Sequence, residues 1–248
     1  MLSPVERQYL EKRYHEIVDG CPICGGRKAF CQCKYAFQFE YAKIRANIPM
    51  QFRTFTMDDF THPQLKKQKQ AVLEYAASFS KLTGIENMYL CGSKGTGKSA
   101  VAAWLLQEAL KLKKTGYYFH TLYAAKVAAT KVWDKETRND ADCVALKNAD
   151  FIVIDKIGEG TNLTGATFEE LREVLRERTE SSKVTIFVGS TQAVNLVSSE
   201  KDLLEVCDCC EISFSGFDYK KEVLKKAPKS KKEDLPEISI TKKRGGKK

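Results

Sequence analysis

The chain has 248 residues, of which 43% are hydrophobic and 29% charged. That balance suits one full-size globular domain with a small appendage and excludes wholesale disorder. The longest apolar run, Ala100 to Leu106, is seven residues, far short of a membrane span, and the charged start MLSPVERQYLEKRYHE lacks the apolar core of a secretory signal. A cytoplasmic protein is expected, whose nine cysteines read as metal ligands or free thiols rather than disulfides. The formal charge of +9 sits at one end: residues 220–248 hold 12 Lys+Arg against 4 Asp+Glu, and the preceding 219 residues hold 29 against 28.

Three zones follow from composition: an N-terminal module over 1–46, an α/β core over 47–219 and a basic tail over 220–248. Ser3-Pro4-Val5-Glu6 has the form of a capping box with proline at the first helical position, and predicts a helix to about Val18, closed by Gly20. Next comes Cys21-Pro-Ile-Cys24-Gly-Gly, then Cys31-Gln-Cys33. Two close cysteine pairs around a glycine-containing turn place four thiolates tetrahedrally about one Zn²⁺, and four protein ligands make such a zinc structural.

The core alternates β-rich runs with helical patterns, as a parallel sheet with crossover helices does. Strands are expected at Met88–Cys91, Tyr117–Thr121, Phe151–Ile154, Val184–Val188 and Glu211–Phe214. Helices are expected at Lys98–Lys113, Ala124–Trp133 and Phe168–Thr179, the last behind a capping box that starts at Thr167. Cys91 and Cys143 read as small buried residues. Cys207, Cys209 and Cys210 are too crowded for a complete metal site and read as packing residues. The Lys-rich tail, with Pro228 and Pro236, predicts no stable fold; it is either a solvated end or an electrostatic arm for an acidic partner.

Gly92-Ser93-Lys94-Gly95-Thr96-Gly97-Lys98-Ser99 satisfies G-x-x-x-x-G-K-[ST] between an expected strand and an expected helix. Glycines let successive N–H groups wrap a phosphate, and the helix start adds its positive dipole end. Lys98 would neutralise the β- and γ-phosphates of ATP, and the Ser99 hydroxyl would ligate Mg²⁺. The apolar strand at 151–154 ends in Asp155, where a carboxylate would hold magnesium through water.

The combination of GSKGTGKS, FIVIDKIG and EISFSGFDYK, preceded by IPMQFRTFTMDDF, resembles the AAA+ ATPases of the DnaC/IstB group over roughly residues 48–220. The resemblance implies a five-stranded parallel sheet in the order 5-1-4-3-2, ATP-Mg²⁺ bound between subunits of a homo-oligomer, and contact with single-stranded DNA. It also implies a replicative helicase as partner, which an N-terminal zinc module favours. The alternatives are a transposase-associated ATPase of the IstB/TnsC kind, acting on duplex DNA, and a non-hydrolysing adaptor. In the resembled proteins the stretch between the second and third strands lies near the DNA channel. Lys126 and Lys131, interleaved with Tyr123 and Trp133, are the candidates there; the alternative is a solvated helical face with Trp133 in the core.

Three departures from the pattern bear on hydrolysis. Lys156 follows Asp155 where these ATPases carry a glutamate that orients the attacking water, and a protonated lysine cannot act as that base; Glu159, four residues past Asp155, is a candidate substitute. Thr191 best fits the polar sensor at the end of the fourth strand, unless it only caps a turn. No arginine lies between Arg178 and Arg244, so no arginine finger is evident, and Lys201 is the lone basic residue from Thr191 to Asp218. A lysine lacks the planar fork that grips two phosphate oxygens.

Overall fold

The structure, a computed structural model, describes residues 2–81, 85–159 and 166–214, with the backbone alone at 166 and 167. The Thr167 capping box and the basic tail lie outside the described side chains. Five parallel strands, β1 (Met88–Gly92), β2 (Gly116–Phe119), β3 (Phe151–Ile157), β4 (Val184–Gly189) and β5 (Cys210–Phe214), form one sheet in the order β2-β3-β4-β1-β5. This is the expected order read from the opposite edge.

Period-two alternation divides the sheet between two apolar clusters, as a strand buried on both faces requires. Met88, Leu90, Phe151, Val153 and Ile186 point to one side, against α4 (Lys98–Lys111) and α3 (Lys66–Ser78). Tyr89, Cys91, Ile152, Ile154 and Phe187 point to the other. There they meet α5 (Leu122–Lys131), α6 (Ala141–Asn148), α7 (Ala166–Glu180) and α8 (Ser198–Val206).

The second strand stops two residues earlier than its composition suggests. Thr121 leaves the strand to accept the Ala124 amide at 3.1 Å, and α5 therefore starts at Leu122 rather than Ala124. A threonine that caps a helix satisfies one of its orphan N–H groups.

In the N-terminal module the capping box is formed: the Glu6 amide reaches Ser3 Oγ at 3.3 Å and the Ser3 amide reaches Glu6 Oε2 at 2.9 Å. This helix, α1 (Pro4–Tyr14), runs into a wider π turn over His15–Asp19 and the cysteine-bearing turns. Then α2 (Gln32–Arg45) leads straight to the sheet, where the Tyr118 amide donates to Ala46 O at 2.8 Å and Asn47 Nδ2 donates to Tyr118 O at 3.0 Å. Glu40, 5% exposed on α2, ties these parts together. It accepts Tyr9 Oη at 2.7 Å and Lys43 Nζ at 2.9 Å, with Arg13 at 3.3 Å.

Candidate nucleotide site and cysteine cluster

The phosphate loop joins β1 to α4 at the carboxyl edge of the sheet. Gly92 has φ 122° and passes so close to Phe214 that a Cβ would lie 2.0 Å from its carbonyl oxygen, so only glycine fits there. Gly95 and Gly97, at φ 85° and 90°, complete the wrap. Lys98 folds back over the loop, with Nζ 2.8 Å from Gly92 O and 2.6 Å from Ser93 O. Burial pushes its pKa below 10.5, against the opposing pull of Asp155.

Asp155, 7% exposed, stands on the same face of the sheet as α4. Its Oδ2 accepts Tyr118 Oη at 2.6 Å and its Oδ1 accepts the Lys156 amide at 2.8 Å. That second bond has a backbone cause. Ile154 pairs with Phe187 and Ile157 with Gly189, so β3 carries one extra residue between these pairs. Lys156 is the residue at φ 64° in this bulge. Its side chain is extruded while Ile157 takes the buried position that strict alternation would have assigned to 156.

A cavity of about 510 Å³ opens over these groups, bounded by the loop, Asp155, Lys156, Glu159 and Ser190. Its apolar wall is Phe52, Phe55 and Phe60. Sequence reasoning missed these three, although their ring-rich stretch Ile48–Phe60 was visible. Of the loop, Lys94, Gly95, Gly97, Lys98 and Ser99 line the cavity, and Gly92, Ser93 and Thr96 do not.

Other expected residues fall elsewhere. Ser190, not Thr191, lines the cavity; Thr191 lies beside Gly158, and its carbonyl accepts Tyr89 Oη at 2.5 Å. Lys126 is 1% exposed, its ammonium 3.4 Å from the centre of the Phe168 ring, with no hydrogen-bond partner among the described residues. From that position it cannot meet a DNA phosphate. Helical spacing turned it inward, beside Ala125 and Ala129. Lys131 is half-buried and pairs with Asp140 at 3.4 Å. Trp133 is not in the core but 51% exposed beneath Lys147. Arg178 is structural: 1% exposed, it donates to the carbonyls of Leu146, Ala149 and Val184 at 2.8–3.0 Å.

The sulfurs of Cys21, Cys24, Cys31 and Cys33 all lie within 4.8 Å of one another, a cluster able to hold a metal ion. The Lys28 amide holds the Cys24 thiol down to about 6, and desolvation pushes Cys33 up to about 12. An all-thiolate set of four suits zinc. Cys91, Cys143 and Cys207 are buried. No described helix is long and apolar enough to cross a membrane.

A comparison with curated proteins returns no match. Among solved structures, the DnaC helicase loader is similar at 17% identity over 67% of this chain and 99% of that one, with a TM-score of 0.55. DnaI is similar at 13% identity over 71% and 98%, with a TM-score of 0.54. AMPPCP-bound DnaA from Aquifex aeolicus is similar at 15% identity over 70% and 53%, with a TM-score of 0.52. At these identities the likeness is one of fold, that of the AAA+ ATPases. The profile of the IstB-like ATP binding proteins matches residues 36–194. Running from α2 to the turn after β4, that match takes in more than half of the chain, and the protein belongs to this family of IstB-like ATP-binding proteins.

Proposed function

We propose that the protein binds ATP with Mg²⁺, assembles with it on DNA as the ATPase partner of a transposase, and hydrolyses the nucleotide slowly. The observation that carries the nucleotide reading is the convergence of Lys98, Ser99 and Asp155 on one cavity with an aromatic wall. The loop N–H groups and Lys98 would hold the phosphates, and Ser99 and Asp155 would hold Mg²⁺, which neutralises charge on the phosphate oxygens. Phe52, Phe55 and Phe60 offer an apolar face to the base. Lys156 puts a cation beside Asp155, where the resembled ATPases carry a water-orienting carboxylate. Glu159 is the one other carboxylate on the cavity wall among the described residues.

Membership in the IstB-like family supports the transposase partner over the helicase expected from the cysteine module. The helicase-loader reading retains one observation in its favour. On the cysteine-bearing turns Ile23 is 69% and Phe30 90% exposed, an apolar tip suited to a protein partner. Sedimentation of the full chain with duplex or single-stranded DNA of equal length, in ATP, ADP or no nucleotide, separates the readings. The transposase reading predicts large ATP-dependent assemblies on duplex DNA; assembly on single strands alone supports the loader. DNA binding indifferent to nucleotide contradicts both.

A further inference from the structure

Tyr118 is fully buried in β2, a strand position where an aliphatic side chain would fill the same space without a polar atom to satisfy. A buried phenol is retained at low cost only when its hydroxyl has partners. Its partner is one of the two residues the nucleotide reading assigns to magnesium: Tyr118 Oη donates to Asp155 Oδ2 at 2.6 Å. The strand itself is pinned by the Ala46 carbonyl and the Asn47 amide on either side of the Tyr118 peptide. The phenol is therefore held at a fixed height above the sheet.

We propose that Tyr118 is the positioning residue of the magnesium site, fixing the Asp155 carboxylate through the hydrogen bond its hydroxyl donates to Oδ2. The inference rests on the ATP-Mg²⁺ reading. A carboxylate that holds metal-bound water must present one orientation, and Asp155 has a donor on each oxygen, Tyr118 on Oδ2 and the Lys156 amide on Oδ1. Partners behind a metal's direct ligands orient them in this way, and their loss costs about 10–100-fold in metal affinity.

The test is a titration of Mg²⁺ into the full chain with a fluorescent ATP analogue, for wild type and Tyr118→Phe, each also measured in EDTA. Loss of this hydrogen bond should raise the metal midpoint about tenfold or more in Tyr118→Phe, with metal-free nucleotide affinity unchanged. A midpoint within about twofold of wild type overturns the proposal, and so does an equal loss of affinity in EDTA, which would mark a packing defect. If Tyr118→Phe fails to fold, 3-fluorotyrosine at position 118 keeps the shape and acidifies the phenol; an unmoved midpoint then overturns the proposal. Wild-type protein that binds no nucleotide overturns the underlying reading and this inference with it. Wild-type binding that depends on metal, with an unaltered variant, overturns the role of Tyr118 alone.

Discussion

Lys98 Nζ lies 2.6 Å from the carbonyl oxygen of Ser93, five residues earlier in the chain, and so bonds the loop it belongs to. The ammonium makes 2.6–3.3 Å contacts to Gly92 O, Ser93 O and Thr96 Oγ1 while 7% exposed. Bound phosphates would compete for it with stronger, charge-assisted bonds. Lys98→Ala should weaken ATP binding by about 10–100-fold, the range of one or two hydrogen bonds to a charged group. Isothermal titration checks this, and an affinity within about threefold of wild type would remove Lys98 from the phosphate site.

The cysteine cluster should carry one zinc per chain, measured by elemental analysis of protein purified without added metal. Cys31→Ser or a strong chelator should expose the turns between α1 and α2 to proteolysis. Nucleotide affinity should change by less than about threefold, because the phosphate loop shares no residue with the cluster. Metal-free protein of undiminished protease resistance would contradict a structural zinc.

Arg178 closes three backbone carbonyls from α6, the turn after it and β4 with a single guanidinium. Burial lowers its pKa to about 10, and it stays charged at neutral pH. Arg178→Met fills the volume but strands those carbonyls, at a cost of about 3–5 kcal/mol. Urea denaturation should show an earlier midpoint with an unchanged slope. A loss under about 1 kcal/mol would mean that water replaces the arginine.

Glu40 links stability to pH. Burial pushes its pKa up, but hydrogen bonds from Lys43 and Tyr9 and the charges of Lys43 and Arg13 outweigh burial, holding the carboxyl below its ordinary 4.5. A depressed carboxylate pKa contributes stability that is fully present above the unfolded value and is lost as pH falls through the folded one. Melting temperature should therefore drop as pH is lowered below about 4.5, and Glu40→Gln should be less stable at neutral pH and lose part of that acid dependence. A Glu40→Gln variant with the same acid slope as wild type would place the linkage elsewhere.

Features set by local covalent pattern were legible in the sequence. The GSKGTGKS spacing located the phosphate loop, the apolar run before Asp155 located β3, and C-x₂-C-x₆-C-x-C located the thiol cluster. Residues whose roles depend on partners distant in the chain were not. Tyr118 reads as an ordinary strand aromatic until β2 and β3 pair and put it beside Asp155, 37 residues away. The helices α2, α3, α6 and α8 went unmarked because their apolar faces are short or interrupted by charge. Lys126 illustrates the opposite error: a lysine among basic and aromatic neighbours suggested an exposed DNA contact. Its helical phase, shared with Ala125, Ala128 and Ala129, buries it against α7. The bulge at Lys156 had no signal, since nothing local announces an extra residue in an apolar strand.

A chain that holds ATP at a phosphate loop whose neighbouring strand offers a lysine in place of the water-orienting carboxylate should bind nucleotide far better than it turns it over. The decisive experiment measures phosphate release beside nucleotide binding on the same sample, for wild type and Lys156→Glu, with and without DNA. Both proteins should bind ATP tightly, wild type should turn it over slowly, and turnover should rise about 100-fold in Lys156→Glu, at the low end of what a positioned base contributes. Rapid wild-type turnover that Lys156→Glu leaves unchanged would contradict that expectation.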